Sequence, residues 1–319
     1  MKKIAILTSG GDAPGMNAAI RSAVRMGIHL GYEMVAIERG YQGLLEKKLF
    51  TLKTTDVSDM LFRGGTFIRT ARSEEFKSEE GSKKGFDILK KNGIDSLIVI
   101  GGDGSFKGAR SLHERGIKTV ALPGTIDNDL GYTDYTIGFD TAITTVMDAV
   151  SKLRDTSSSH SKVFVVEVMG RNCGDIALYA GLISGAEEVI IPEIEYDFEK
   201  TVENIKRGFD RGKNHYIILL AEGAFDPFKY TEKLQKRISI PTRLSVIGYL
   251  QRGGAPTAFD RLLATKMGAE AVRLIDKGKS GVAVGIKGNK IVNVEIKKAI
   301  NTRDEIDRDL YDLAEIIAR

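Results

Sequence analysis

Four unbroken apolar runs in this chain each lead into a glycine-bearing loop. Ile4-Ala5-Ile6-Leu7 runs toward Gly10-Gly11-Asp12, and Leu97-Ile98-Val99-Ile100 meets Gly101-Gly102-Asp103-Gly104. Val163-Phe164-Val165-Val166 leads to Gly170, and Ile217-Ile218-Leu219-Leu220 to Glu222-Gly223. A run with no polar alternation has no face to offer water, so it reads as a strand buried on both sides, as in a parallel sheet. Between the runs lie amphipathic stretches of helical length, at residues 16–29, 105–115, 141–154, 175–184, 198–211 and 257–277. Strand, glycine loop and helix repeated in this way predict an α/β chain of doubly wound (Rossmann-like) parallel sheets. Ligands of such sheets bind beyond the carboxyl ends of the strands, in these loops. Gly288-Asn289, between apolar segments 282–286 and 290–296, predicts an appended hairpin.

Composition removes several function classes. A chain of 319 residues is about two domains long and can bury a full core. The loops change character near residues 138–140, which suggests a boundary there. Lys and Arg exceed Asp and Glu by only 47 to 43, interspersed along the chain, which argues against a dedicated nucleic-acid or membrane surface. The single Cys173 excludes an internal disulfide and suggests a reducing, cytoplasmic setting. No apolar run nears the roughly 18 residues that span a bilayer. The four apolar residues after Lys2-Lys3 are too few for a secretory signal.

Familiar nucleotide fingerprints are broken. Arg273 stands where a P-loop ending in Gly278-Lys279-Ser280 needs its first glycine, and Lys107 where a dinucleotide fingerprint begun at Gly102-x-Gly104 needs its third. The latter disfavours a dinucleotide oxidoreductase. The four histidines show no metal-ligand spacing, and Ser157-Ser158-Ser159-His160 reads as a polar loop between helix and strand. What remains are Gly-Asp loops. Backbone N–H groups at such a turn, with a helix opening behind it, suit phosphate oxygens. Asp103 would repel a phosphate unless Mg²⁺ lay between them, and Mg²⁺ takes one or two carboxylates with phosphates and water. In Pro123-Gly124-Thr125-Ile126-Asp127-Asn128-Asp129, two carboxylates two residues apart would point to opposite sides of an extended loop, one to a metal and one to a substrate hydroxyl. Taken alone this is equally an Asx-rich turn. Arg72, Arg171, Arg243 and Arg252 stand in loops or beside a strand read at 244–250, where guanidinium forks can meet phosphate. Arg21 and Arg25 share one face of the first helix, either as a solvated face or as a second anion site.

In this order and at these spacings, the loops resemble bacterial ATP-dependent 6-phosphofructokinases. The resemblance runs from Thr8-Ser9-Gly10-Gly11-Asp12 through the 101–105 and 123–129 loops, Met169-Gly170-Arg171 and Ala221-Glu222-Gly223 to Gln251-Arg252-Gly253-Gly254. It implies two parallel-sheet domains, 1–138 with 251–301 for ATP and 139–250 with 302–319 for fructose 6-phosphate, and an active site in the cleft between them. It implies transfer of the γ-phosphoryl group of ATP to the sugar 1-hydroxyl, a step of glycolysis. By the same resemblance Asp127 is the general base, with Thr125 beside the moving group and Arg171 and Arg72 stabilising its charge. Gly11, Arg72, Ser73, Gly102, Asp103, Gly104 and Ser105 would hold ATP, with Asp103 and Asp129 serving Mg²⁺. Ile126, Met169, Gly170, Glu222, Leu250 and Gln251 would line the sugar site. Lys162, Arg243, Tyr249 and Arg252 would take the 6-phosphate, Lys162 and Arg243 from a neighbouring subunit of a homotetramer. ADP would activate and phosphoenolpyruvate inhibit through Arg21, Arg25, Asp59, Arg154, Gly185, Glu187, Arg211, Lys213 and His215.

Glycine at 104 and 124 matches the ATP-dependent members; pyrophosphate-dependent relatives carry Asp and Lys there. Lys162 stands where Arg is usual, Tyr249 where His is usual and Ser73 where Cys is common. Lys lacks the bidentate fork and Tyr carries no positive charge near neutrality, so altered sugar-phosphate affinity or cooperativity is expected. A pyrophosphate-dependent kinase and a non-catalytic sugar-phosphate or nucleotide sensor on the same fold are the alternatives.

Overall fold

A computed structural model of the chain describes residues 2–303 and 305–318. Its strands are β1 (Lys3–Thr8), β2 (Glu33–Ile37), β3 (Leu49–Leu52), β4 (Ile94–Gly101), β5 (Lys118–Pro123), β6 (Lys162–Val168), β7 (Glu188–Ile190), β8 (His215–Ala221), β9 (Thr242–Val246), β10 (Val282–Lys287) and β11 (Lys290–Glu295). Its helices are α1 (Met16–His29), α2 (Gly40–Leu45), α3 (Glu74–Lys77), α4 (Glu79–Lys91), α5 (Asp103–Glu114), α6 (Phe139–His160), α7 (Asp175–Ser184), α8 (Phe198–Asp210), α9 (Pro227–Arg237), α10 (Ala258–Asp276), α11 (Ile296–Asn301) and α12 (Arg308–Ile317). The chain divides into two compact units, Met1–Thr141 with Arg252–Asp304, and Ala142–Gln251 with Glu305–Arg319. Among the described residues no helix is long and apolar enough to cross a membrane.

The first unit holds a seven-stranded sheet in the order β11-β10-β5-β4-β1-β2-β3. Its five inner strands run parallel, and β3 and β11 close the edges antiparallel. The apolar runs of β1 and β4 are fully buried because helices cover both faces. From β1 the chain moves outward to β2, and from β4 in the opposite direction to β5, so the order reverses between β1 and β4. A crevice opens at such a reversal beyond the carboxyl ends. The register sets those ends side by side: Thr8 pairs with Ile100, and Gly101 with Pro123. Gly288 and Asn289, with φ of 52° and 65°, make the hairpin turn between β10 and β11.

The second unit holds four parallel strands in the order β7-β8-β6-β9. The chain leaves β6 toward β7 and leaves β8 toward β9, in opposite directions, so the switch point lies between β6 and β8. Val168 pairs with Ala221 there. Residues 157–160 form the last turn of α6 rather than a loop, so the Ser-Ser-Ser-His run is helical. Position 248 ends the apolar run 244–250 early: Gly248 has φ of 54° and starts a 3₁₀ turn, Gly248–Arg252. The strand also begins earlier than read, at Thr242, so Arg243 lies within β9, not before it.

Candidate active site

Hydrogen bonds fasten the two loops at the first unit's switch point to each other. The Ser105 hydroxyl donates to the Ser9 carbonyl at 2.9 Å. A Cβ at Gly101 would lie 2.4 Å from both Ser105 Oγ and the Ser9 carbonyl oxygen, so only glycine permits this approach. A third segment is pinned alongside: Thr8 Oγ1 donates to the Arg69 carbonyl at 2.9 Å, and Thr70 Oγ1 to the Gly10 carbonyl at 2.9 Å. Arg72 and Ser73 follow directly, Arg72 exposed and Ser73 buried with its Oγ capping α3 at the Phe76 amide. The Arg252 guanidinium lies against Gly11, 3.3 Å from where a Cβ would stand.

The first Gly-Asp loop differs from its expected form. Residues 9–15 lie between β1 and α1, so Gly11-Asp12 offers amides without a helix immediately behind them. The second has the expected form, because α5 starts at Asp103 after Gly102 and no side chain caps it. Its first-turn N–H groups, at the positive end of the helix dipole, are a ready anion site. Among the described residues a Cβ at Gly104 would meet no atom within 4 Å, so none of them fills the space at that turn. At Gly124, by contrast, a Cβ would lie 2.8 Å from Ile100 Cγ2 and 3.0 Å from Met16 Cε. A side chain there would have to displace packed apolar atoms.

Asp127 is 3% exposed and its amide donates to Thr125 Oγ1 at 3.2 Å. The loop is not extended, as the alternating-carboxylate reading required. Asn128 adopts a left-handed conformation with φ of 56°, and its side chain holds the bend: Oδ1 accepts from the Thr136 amide at 3.0 Å. Thr136 Oγ1 in turn donates to the Thr125 carbonyl at 2.7 Å. Asn is one of the few residues that tolerates this region at low cost. Asp127 and Asp129 are thus separated by a turn rather than by strand alternation. Ile126 is buried, its Cγ2 3.3 Å from where a Cβ at Gly138 would stand.

Asp103 is partly exposed and pairs with Lys107 one turn along at 2.6 Å. Among the described residues no group of three or more His, Cys, Asp or Glu side chains is placed to hold a metal. Mg²⁺ needs fewer, since phosphate oxygens and water complete its octahedron. Asp103 and Asp129 are the hard oxygen donors such an ion takes, so the residues present fit it.

In the second unit the loop after β6 is held by Glu222, which follows β8. Glu222 Oε1 accepts from the Gly170 amide at 3.2 Å and the Arg171 amide at 2.8 Å. This bridges the switch point and fixes two left-handed residues, Gly170 at φ 133° and Arg171 at φ 55°. Burial, then the nearby Glu222 charge, raises the pKa of Glu167. Gln251 is fully buried; its carboxamide accepts from the Met169 amide at 3.2 Å and donates to the Gly248 carbonyl at 3.0 Å. Glu222 and Gln251 therefore shape the Met169–Arg171 loop. Tyr249 and Leu250 stand out in solvent, 78% and 71% exposed. Lys162 and Arg243 share one face at the amino end of the same sheet, near the Phe164–Arg243 pair. The length of β6, roughly 20 Å, separates Lys162 from the Met169–Arg171 loop.

A charged cluster forms elsewhere in the second unit. Arg154 donates to the Ser184 carbonyl at 2.8 Å and the Gly185 carbonyl at 2.7 Å and lies 2.8 Å from His215 Nε2. Glu187, 6% exposed in its side chain, meets Lys213 at 3.5 Å and His215 at 3.3 Å. Beside it lies a cavity of about 300 Å³ lined by Glu187, Arg207, Arg211, Lys213, Tyr311 and Glu315. Arg21, Arg25 and Asp59 belong to the first unit, the arginines on α1.

The positioning side chains were not legible from motifs. Asn128 and Thr136 lie eight residues apart, and Glu193, which accepts the Gly174 amide at 2.8 Å, comes from a loop after β7. Only the Asn between two Asp residues could have pointed to such a role.

A family model described as phosphofructokinase matches residues 3–275. An ATP-dependent 6-phosphofructokinase of Clostridium tetani is 55% identical over all of both chains, and one of Alkaliphilus metalliredigens 54%. Among solved structures, the phosphofructokinase of Saccharomyces cerevisiae superposes with a TM-score of 0.88 at 36% identity, over 99% of this chain and 47% of that one. A pyrophosphate-dependent phosphofructokinase of Marinobacter aquaeolei shares the fold, with a TM-score of 0.86 at 22% identity, over 97% of this chain and 86% of that one.

Proposed function

The chain belongs to the phosphofructokinase family, and we propose that it transfers the γ-phosphoryl group of ATP to the 1-hydroxyl of fructose 6-phosphate, giving ADP and fructose 1,6-bisphosphate. The observation that carries this reading is the first unit's switch point. Two glycine loops are bonded together there, an uncapped helix opens into space at Gly104, and the loop bearing Asp127 leaves the adjacent strand end.

In this reading the amides of Gly11 and of residues 102–105 cradle the triphosphate, and Arg72 and Ser73 complete its site. The donor needs a divalent metal; Asp103 and Asp129 would hold Mg²⁺, which when bound neutralises charge on the phosphate oxygens. Asp103 would exchange its Lys107 partner for the ion. Asp127 takes the proton of the 1-hydroxyl as that oxygen bonds to the γ-phosphorus and the bond to the β,γ-bridging oxygen breaks, leaving ADP with the electron pair. Arg72 and Arg171 stabilise the charge spread over the transferring oxygens. Open space at Gly104 supports the nucleotide as donor, since an acidic side chain there would crowd and repel it.

The sugar phosphate is held by the second unit through Met169, Gly170 and Arg171, with the 6-phosphate taken by Arg252, Tyr249, Arg243 and Lys162. The placement of Lys162 and Arg243 at the other end of the sheet supports their service to a neighbouring subunit of a homotetramer. We assign the Arg154–Glu187–His215 cluster, with Gly185, Arg211 and Lys213, to an effector site for ADP and phosphoenolpyruvate, which Arg21, Arg25 and Asp59 complete. A coupled assay with fructose 6-phosphate and Mg²⁺ tests the reading. Turnover with ATP and none with pyrophosphate supports it; turnover with pyrophosphate alone, or nucleotide binding without turnover, contradicts it.

A further inference from the structure

We infer that Glu193, in the segment between β7 and α8, is a positioning residue for the loop that carries Arg171; this rests on the reading that places Arg171 at the moving phosphoryl group. The helices α8, α9, α10 and α12 are capped by their own Asp197, Asp226, Thr257 and Asp307 side chains. The helix after the Arg171 loop has no such cap. α7 follows Gly174, whose amide donates instead to Glu193 Oε1 at 2.8 Å. The contact is tight: a Cβ at Gly174 would lie 2.7 Å from Glu193 Oε2 and 2.5 Å from Ile191 Cβ. Oε2 is buried and has no hydrogen-bond partner among the described residues. The carboxylate is held through Oε1 by the Gly174 amide, at the positive end of α7.

The segment so gripped, Gly170–Gly174, is five residues long. Glu222 holds its first amides, at Gly170 and Arg171, and the Cys173 amide closes on the Gly170 carbonyl at 2.9 Å. Glu193 holds its last. Left-handed backbone at a non-glycine residue such as Arg171 persists only where its surroundings fix it. Two carboxylates from separate loops, one at each end, supply that constraint, and Arg171 projects from between them. Glu193 touches no reacting atom in this scheme and acts through the aim of Arg171.

A double-mutant cycle with Arg171 tests this. Glu193→Ala in the full chain is expected to lower kcat about 30-fold and raise half-saturation for fructose 6-phosphate, with half-saturation for ATP unchanged. In an Arg171→Ala background the same change should cost less than about threefold. Glu193→Gln keeps the acceptor oxygen and should restore kcat to within about threefold; Glu193→Asp, one methylene short, should not. Gly174→Ala parts the same contact from the other side and should give the same asymmetric loss, which keeps the test valid if Glu193→Ala does not fold. Equal costs in both backgrounds, or wild-type kcat in Glu193→Ala or Gly174→Ala, overturn the inference. Unchanged kcat in Arg171→Ala alone overturns instead the assignment of Arg171.

Discussion

The Ser105 hydroxyl reaches across the first unit's switch point to the carbonyl oxygen of Ser9, 2.9 Å away. This joins the loop that leaves β1 to the helix that follows β4. The bond is buried, and Gly101 leaves the space for it.

Loss of that bond should loosen the proposed triphosphate cradle before it loosens the fold. Ser105→Ala removes one neutral hydrogen bond, worth about 1 kcal/mol. Half-saturation for ATP should rise about fivefold with little change for fructose 6-phosphate, measured in the coupled assay. Equal rises for both substrates would contradict a local role.

Gly104 separates donor choice from stability. Among the described residues a Cβ there would meet no atom within 4 Å, and its backbone is not in the left-handed region. Gly104→Asp should therefore leave the thermal midpoint within a few degrees yet weaken ATP at least tenfold, through repulsion at the helix N-terminus. Undiminished ATP use would remove the cradle from this turn.

The proposed assignment of Lys162 and Tyr249 to the 6-phosphate predicts an effect on affinity for the sugar phosphate. Arg at 162 restores a bidentate fork and His at 249 a group that can carry charge. Lys162→Arg with Tyr249→His should lower half-saturation for fructose 6-phosphate several-fold at unchanged kcat, as initial-rate kinetics would show. No shift would mean that other contacts already fill their part.

Asp260 gives the first unit a pH dependence. It is fully buried on α10 and accepts from the Gly138 and Thr141 amides, each at 2.9 Å. Burial, outweighing those hydrogen bonds, raises its pKa from 3.8 to about 6. A raised pKa means that the native state holds a proton the unfolded chain releases. The contribution is complete below pH 3.8 and is lost as pH rises through about 6. Relative to Asp260→Asn, wild-type stability should fall by roughly 3 kcal/mol across that window. Denaturant titrations over this range check it, and parallel pH curves for the two proteins would refute it.

Much of the α/β architecture is legible because parallel strands need unbroken apolar runs. Residues 16–29 and 175–184 are helical as predicted, bracketed by glycine loops. α4 and α9 escape a reading based on apolar faces. In α9 only Tyr230 and Leu234 are buried, and in α4 the buried side chains are few among lysines and glutamates. The 244–250 run misleads because a left-handed Gly248 inside it looks like any other strand glycine. In the candidate site, motifs mark the residues that would meet ligands. They do not mark Asn128, Glu193 or Asp260, whose partners are brought to them only by the fold.

Asp127→Ser tests the central claim most directly, because Asp127 is the group assigned to take the proton. With ATP, fructose 6-phosphate and Mg²⁺, turnover should fall by at least a thousandfold, while equilibrium binding of ATP stays within about twofold of wild type. Turnover within tenfold of wild type would contradict the assignment of Asp127 as base.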